Sequence, residues 1–304
     1  MSKPSKTGFA ALVVLAAVSA LLVWGNAAPI APGPPGKAPG GKLHIDFIDV
    51  GHGDSSLIIS STGKKVLIDG GLREKGPDLV AFLRSRDACP LDLILLTHRH
   101  VDHLGGLLDV VTSCGTRTYM DAPYPHDSPI YSRLLTLLED RQIPVRQAER
   151  GRTIDLGNGA RLTLLGPPTP PIRGTDSDVN ANSVASRLEY GVSSVLFAAD
   201  VNEATEAWLL DNGASLRSTV LKVAHHGSRH ASTAAFLSAV MPKVAVISTE
   251  AGDAKHPHPE TLARLAQVRA SIFRTDQDQT ITIDMDTKSM SIRGHVRMEE
   301  IKSQ

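Results

Sequence analysis

The segment that most constrains the fold is Leu91–Thr97 together with the run that follows it, His98-Arg99-His100-Val101-Asp102-His103-Leu104-Gly105-Gly106. Leu91–Leu96, apolar apart from Asp92, reads as a strand buried on both faces, and such a strand needs a covering layer on each side. Four side chains able to bind metal follow within six residues. His98 and His100, at i and i+2 of an extended loop, can point the same way and share one ion. Asp102 and His103 open the next turn and can face a second ion about 3.5–4 Å from the first. Gly105-Gly106 lets the backbone turn sharply into a helix. A solvated, metal-free loop is the competing explanation, and the strand-to-loop context argues against it.

Strand patterns also cover Leu43–Val50, Ser56–Ser60, Val66–Ile68, Thr116–Met120, Val184–Tyr190, Val195–Ala198, Val220–Val223 and Val244–Ile247. Thr153–Leu156 and Arg161–Leu165 flank Gly157-Asn158-Gly159, a strong hairpin turn. Ile281–Met285 and Met290–Ile292 close the chain as a second hairpin. Helical spacing marks Pro77–Arg86, Gly106–Thr112, Ile130–Arg141, Glu203–Leu210, Thr233–Val240 and Pro259–Gln267, and Pro167–Asn182 reads as a loop. Strands dominate both halves with helices interleaved and no internal repeat, which predicts an α/β fold, two sheets sandwiched between outer helix layers.

The first forty residues read as an address. Lys3 and Lys6 precede an apolar run, Phe9–Trp24, and small residues follow it. That is a secretory signal peptide, or a signal anchor if uncleaved, over residues 1–27. Residues 28–41 form a Pro/Gly-rich linker, leaving residues 42–304 as one folded domain. The expected location is periplasmic or extracellular, free or held at the membrane. Cys89 and Cys114, the only cysteines, either pair in that oxidising compartment or stay as separate thiols. The 32 basic residues balance 32 acidic ones, which argues against binding nucleic acid through the field of the whole protein. Aromatics at 4% argue against a stacking platform for single strands.

Eight of the twelve histidines (His98, His100, His103, His225, His226, His230, His256, His258) fall in loops after expected strands, and Asp200 ends the strand Val195–Ala199. Scattered histidines show no such bias, so one site at one edge of the sandwich is expected. Thr97-His98-Arg99-His100-Val101-Asp102-His103 resembles the T-H-x-H-x-D-H motif of metallo-β-lactamase fold hydrolases. More narrowly, Asp49-Val50-Gly51-His52-Gly53-Asp54, Leu67-Ile68-Asp69-Gly70-Gly71, Asn180-Ala181-Asn182-Ser183, Ala199-Asp200, Leu221-Lys222-Val223-Ala224-His225-His226-Gly227-Ser228 and His256-Pro257 resemble, in order, the hydrolase domain of ComEC-type DNA-uptake proteins. The resemblance runs from about residue 43 to residue 290.

It implies a four-layer αββα sandwich and a dinuclear hydrolase that activates a water with two divalent ions, Zn²⁺ or Mn²⁺. The implied ligands are His98, His100, Asp102, His103, Asp200, His226 and His256, with Asp102, His225 and His226 in the catalytic machinery. Asp69, Asn180, Asn182, Ser228 and Lys222 are implied as supporting or substrate-binding residues. Asp69 is expected to steady a ligand histidine, and Lys222 either to hold phosphate, a role Arg229 could share, or to face solvent. Asp49 and Asp54 are expected to pin the early turn. His44, His52, His126 and His295 read as structural or exposed.

Two departures stand out. Ala198-Ala199-Asp200 replaces the usual T-G-D, which crowds the turn. No histidine lies between His126 and His225, so the third ligand of the first ion comes from His225, His226, Asp178, Asn180 or water, and oxygen ligation favours Mn²⁺. The expected substrate is a phosphodiester, DNA among the candidates. A small carbonyl compound (lactone, thioester or β-lactam) is the alternative, and a non-catalytic envelope binding module is the second. No protein partner is inferable.

Overall fold

A computed structural model describes residues 41–295 and 297–302, so the expected leader and nearly all of the linker lie outside the described residues. The chain first lays down six strands of one sheet: β1 (Leu43–Phe47), β2 (Ser56–Ile59), β3 (Lys65–Ile68), β4 (Leu93–Leu96), β5 (Tyr119–Asp121) and β6 (Val145–Gln147). It then builds all seven of a second: β7 (Thr153–Gly157), β8 (Ala160–Leu164), β9 (Ser186–Tyr190), β10 (Ser193–Phe197), β11 (Val220–Lys222), β12 (Val244–Ile247) and β13 (Ser271–Arg274). Finally it returns to the first with β14 (Ile281–Met285), β15 (Ser289–Arg293) and β16 (Met298–Lys302). The first sheet has the order β16-β15-β14-β1-β2-β3-β4-β5-β6 and the second β13-β12-β11-β10-β9-β8-β7. β1 lies between β2 and β14, antiparallel to both, with Leu43 opposite Met285.

Nine helices occur among the described residues: α1 (Gly76–Ser85), α2 (Val101–Leu104), α3 (Leu107–Ser113), α4 (Pro129–Asp140), α5 (Asp178–Ala181), α6 (Glu203–Asp211), α7 (Ala234–Val240), α8 (Pro259–Gln267) and α9 (Thr275–Asp278). Their starts carry legible signals: Ser128, Thr233 and Asn202 each accept a hydrogen bond from a backbone N–H three residues on, and Pro129 and Pro259 occupy first-turn positions. No helix among the described residues is long and apolar enough to cross a membrane.

Three apolar clusters separate four layers. Phe47, Ile45, Leu162, Leu188, Val195, Phe197 and Phe273 fill the space between the sheets, where Phe47 and Phe197 rings meet at 5.8 Å. Leu79, Leu83, Leu107, Val111, Leu134 and Leu138 seat α1, α3 and α4 on the first sheet. Leu209, Phe236, Leu237, Val240 and Leu265 seat α6, α7 and α8 on the second. The αββα sandwich expected from the resemblance is the fold observed.

Some expectations need correction. β6, β13 and β16 were not anticipated, nor was α5, which interrupts the loop expected over Pro167–Asn182. The first strand ends at Phe47 rather than Val50, because Asp49 turns the chain by accepting the N–H of Gly51 at 3.1 Å. Cys89 and Cys114 are joined by a disulfide, so they are not separate thiols. The bond ties the segment after α1 to the end of α3.

For the site, the decisive feature is directional. β3–β6 run parallel to one another, as do β10–β13. The carboxyl ends of β3, β4, β10, β11 and β12 gather at one edge, the customary place for chemistry in such sheets.

Candidate metal centre

β4 delivers Thr97 and His98 to that edge, and α2 starts at Val101, so Asp102 and His103 occupy its first turn. The loop before β2 closes over this turn. Asp54 donates its backbone N–H to Asp102 O at 3.2 Å. A Cβ on Gly53, which has φ +118°, falls 2.1 Å from the same oxygen. Only glycine lets the two segments approach this closely.

The other half comes from the second sheet. β10 leads through Ala198 and Ala199 to Asp200, and β11 leads to His225-His226. His225 (φ 48°, ψ 51°) and His226 (φ 53°, ψ 21°) both lie in the left-handed region, and Gly227 follows at φ 83°. This run splays two successive imidazoles. His225 faces Asn180, with Nδ2 and Nε2 3.3 Å apart, and His226 faces Asp102 and Asp54. Non-glycine residues hold such angles only when their surroundings enforce them. Ala199 is likewise at φ 53°. The alanine that stands in place of glycine thus adopts a left-handed angle that glycine reaches more easily, and the carboxylate of Asp200 stays in place.

Asp200 Oδ2 is the hub. It lies 3.3 Å from His103 Nε2, 3.7 Å from both His98 Nε2 and His226 Nε2, and 3.9 Å from His225 Nε2. Asp102 Oδ2 is 3.4 Å from His226 Nε2 and 3.6 Å from His103 Nε2. Donors sharing one tetrahedral ion with bonds of about 2.0–2.2 Å stand roughly 3.3–3.6 Å apart. Ligand atoms of Asp102, His103, Asp200 and His226 all lie within 4.8 Å of one another, and four of their pairs, at 3.3–3.7 Å, come close to that spacing. The Nε2 atoms of His98, His103 and His226 and Oδ1 of Asp200 are buried without a hydrogen-bond partner. Buried polar atoms are rarely left so, and a divalent cation supplies what they lack, so the residues present fit the metals that this fold implies.

Their ring orientations are fixed from behind. Asp69 Oδ2 accepts from His103 Nδ1 and from the Thr97 hydroxyl, both at 2.8 Å, and Oδ1 accepts the Thr97 N–H at 2.7 Å. Having given its proton to Asp69, the Thr97 hydroxyl accepts from His98 Nδ1 at 3.0 Å. Ser248 O accepts from His226 Nδ1 at 3.1 Å. In all three imidazoles Nδ1 therefore carries a proton and Nε2 faces the centre. Burial disfavours a charged His103, yet Asp200, Asp102 and Asp69 outweigh it and raise its pKa well above the ordinary value. Burial likewise opposes ionisation of Asp200, and His103 and His226 overcome it. His98 goes the other way: burial, then His103, lowers its pKa well below the usual range. The cluster is a charge-balanced set whose protons a cation displaces.

The remaining expected residues divide. His100 is half-buried beside His98, ring centroids 4.8 Å apart, and its ring also meets that of His126. Asn180 Oδ1 is buried and unpartnered next to His225. Asp178 turns away and accepts from the N–H groups of Gly174 and Thr175, so it is no candidate for the third ligand. Asn182 is corrected too: its amide binds Ile172 and Asp178 backbone groups and pins the loop instead of meeting substrate. Ser228 Oγ accepts from His230 N within its own turn. Lys222 neither faces solvent nor reaches a phosphate, since it is 1% exposed and pairs with Asp54 at 2.8 Å. Asp54 is thus a buried ion-pair partner, not a turn cap. Lys222 also donates to Val223 O.

His52, read as structural, stands in the site: its ring lies 4.7 Å from that of His226, and Nε2 is 3.6 Å from Asp102 Oδ2. His256 is grouped with His52 and Asp253 apart from the inner four. His258 caps α8 and His230 pairs with Arg229. Sequence reasoning passed over Thr97, Asp253 and Arg99. Arg99 lies 4.0 Å over the Tyr131 ring and donates to Asp121 and Ala122 O, anchoring the loop between His98 and His100. The short spacing Asp253-x-x-His256 was the one available signal for Asp253.

Comparison with known proteins agrees with this geometry. The model of the metallo-beta-lactamase superfamily matches residues 48–251. ComE operon protein 3 of Bacillus subtilis is 26% identical over 78% of the chain and 32% of its own length. Competence protein ComA of Neisseria gonorrhoeae is 26% identical over 88% of the chain and 35% of its own length. The chain thus spans about a third of these curated relatives. Among solved structures, CmlA, a diiron beta-hydroxylase from Streptomyces venezuelae, aligns with a TM-score of 0.51 at 15% identity, covering 83% of this chain and 55% of that one, which shows a shared fold. Motif order, strand topology and family model agree, and the chain belongs to the metallo-beta-lactamase superfamily of metal-dependent hydrolases, with curated relatives among the competence proteins.

Proposed function

We propose that the protein is an exported, metal-dependent phosphodiesterase with DNA among its substrates. The observation that carries this is the convergence of three buried, unpartnered imidazole nitrogens on the carboxylates of Asp200 and Asp102 at an open sheet edge. Asp102, His103, Asp200 and His226 would hold one ion, and His98, His100 and Asp200, with His225 or Asn180, the other. Divalent ions bound there supply a water of near-neutral pKa and a countercharge for a phosphoryl group. The chain's own residues do the positioning. Asp69, Thr97 and Ser248 keep the Nε2 atoms aimed inward. His225, half-buried beside Asn180, brings an imidazole to the side of Asp200 where the sequence offers no third histidine. Arg229, exposed three residues beyond His226, remains the expected phosphate-binding cation now that Lys222 is buried.

Similarity to competence proteins favours a polymeric phosphodiester and a place in the cell envelope. The Cys89–Cys114 bond favours an oxidising compartment. The deciding experiment strips the full chain with chelator, restores Mn²⁺ or Zn²⁺, and offers bis(p-nitrophenyl) phosphate and linear DNA beside nitrocefin and a lactone. Metal-dependent phosphodiester cleavage that is lost in Asp102→Ala is the expected result. Lactone or nitrocefin turnover with phosphodiesters untouched moves the protein to small carbonyl substrates. Silence across the panel favours a binding module.

A further inference from the structure

We propose that His52, Asp253 and His256 form a separate site for a divalent transition-metal cation, zinc by its donor chemistry, at the mouth of the inner centre. Asp253 Oδ2 lies 3.1 Å from His52 Nδ1 and 3.2 Å from His256 Nδ1. One ligand atom from each of the three residues falls within 4.8 Å of the others. Two imidazoles and one carboxylate suit zinc, with a fourth position left to water, whereas magnesium and calcium favour all-oxygen sets. All three residues are intermediate in exposure, so that fourth position opens to solvent.

The surroundings are built to hold these donors. Asp253 Oδ1 is occupied by the N–H groups of Lys255 and His256, at 2.7 and 3.1 Å, which presents Oδ2 to both rings. His52 sits between Gly51 and Gly53, both at positive φ, on the loop that rests on Asp102. The loop carrying His256 is seated through Pro257 against Gly227, where an added Cβ falls 2.7 Å from the proline ring. His52 is the shared wall, its ring meeting those of His226 at 4.7 Å and His256 at 5.6 Å. The site stands beside the inner centre and does not depend on which bond that centre cleaves.

The test counts metal. Full-length protein, stripped with chelator and dialysed against excess Zn²⁺, should retain about one equivalent more than His52→Gln or Asp253→Asn. Co²⁺ substitution gives a second readout: the ligand-field absorption of wild type should lose one component in either variant and keep the other. Asp102→Asn should show the reverse, losing the inner signal and keeping the outer. Melting curves by circular dichroism confirm that each variant is folded. If Asp253→Asn unfolds, His52→Gln decides alone, because glutamine can still hydrogen-bond Asp253 from a half-exposed loop. Equal zinc content and unchanged cobalt spectra in wild type and His52→Gln overturn the proposal.

Discussion

The two halves of the inner centre are supported in different ways. On the side of β3 and β4, one carboxylate serves a contiguous stretch: Asp69 accepts from His103 and Thr97, and Thr97 passes the constraint on to His98. That support is directional and works by fixing which nitrogen carries the proton. On the side of β10–β12, Asp200 and His226 arrive from separate strand tips into a region already holding Asp54 and Asp102. There Ser248 O holds the His226 ring, and the rest of the support is charge. Lys222, 1% exposed, pairs with Asp54 at 2.8 Å. Where neighbouring ligands share one segment, a hydrogen-bond relay suffices. Where carboxylates converge from different strands, a buried cation is needed to offset them.

Lys222→Met should expose this difference most sharply. Removing one partner of a buried ion pair should destabilise the fold by about 3–5 kcal/mol, read by denaturant unfolding of the metal-free protein. A variant as stable as wild type would erase the distinction between the halves.

Glu206, on α6, carries the charged pattern further from the centre. Burial pushes its pKa up to about 7, although the N–H groups of Ser232 and Thr233 favour the ionised form. The native state therefore keeps a proton that the unfolded chain gives up above the ordinary glutamate value of 4.5. Stability is full below that value and falls, by something on the order of 3 kcal/mol, as pH rises through about 7. Thermal scans at low and high pH should show a shallower decline in Glu206→Gln than in wild type. An identical decline would remove Glu206 from the account.

On the relay side, Asp69→Asn should lower metal affinity about 10–100-fold, measured by competition with a chromophoric chelator. Stability of the metal-free protein should change far less than in Lys222→Met. The smallest effect belongs to Ala199→Gly. Relieving a left-handed alanine should stabilise the fold by about 1 kcal/mol at most, since glycine also loosens the unfolded chain. A loss of stability would mean that the φ of 53° at Ala199 carries no strain.

Much of the centre was legible because its ligands sit at strand ends. Apolar strands such as Val244–Ile247 and Leu93–Leu96 announce themselves, and the residues after them inherit a known edge. The Gly157-Asn158-Gly159 turn marked its hairpin for the same local reason. What stayed hidden depends on neighbours that sequence does not name. β6 is largely exposed, so Val145–Gln147 carries no apolar signal, and its identity comes from pairing with β5. Lys222 looks like any strand lysine until Asp54, far away in sequence, is brought beneath it. His52 looked incidental because its role depends on Asp102 and Asp253, each from a different loop. Asn182 shares a motif with Asn180 but, two residues on, points into the loop and not into the site.

The placement of β1 between β2 and β14 has a kinetic consequence. Leu43 pairs with Met285, so the strand that starts the fold is completed by residues near its end. Until those residues are available, β1 offers an unpaired edge, and the apolar face shared by both sheets has no full cover. Contacts so distant along the chain slow folding, because a long loop must close before they form. A chain wired this way cannot complete its first sheet until its last strands are available, so that sheet's closing is a late event of folding.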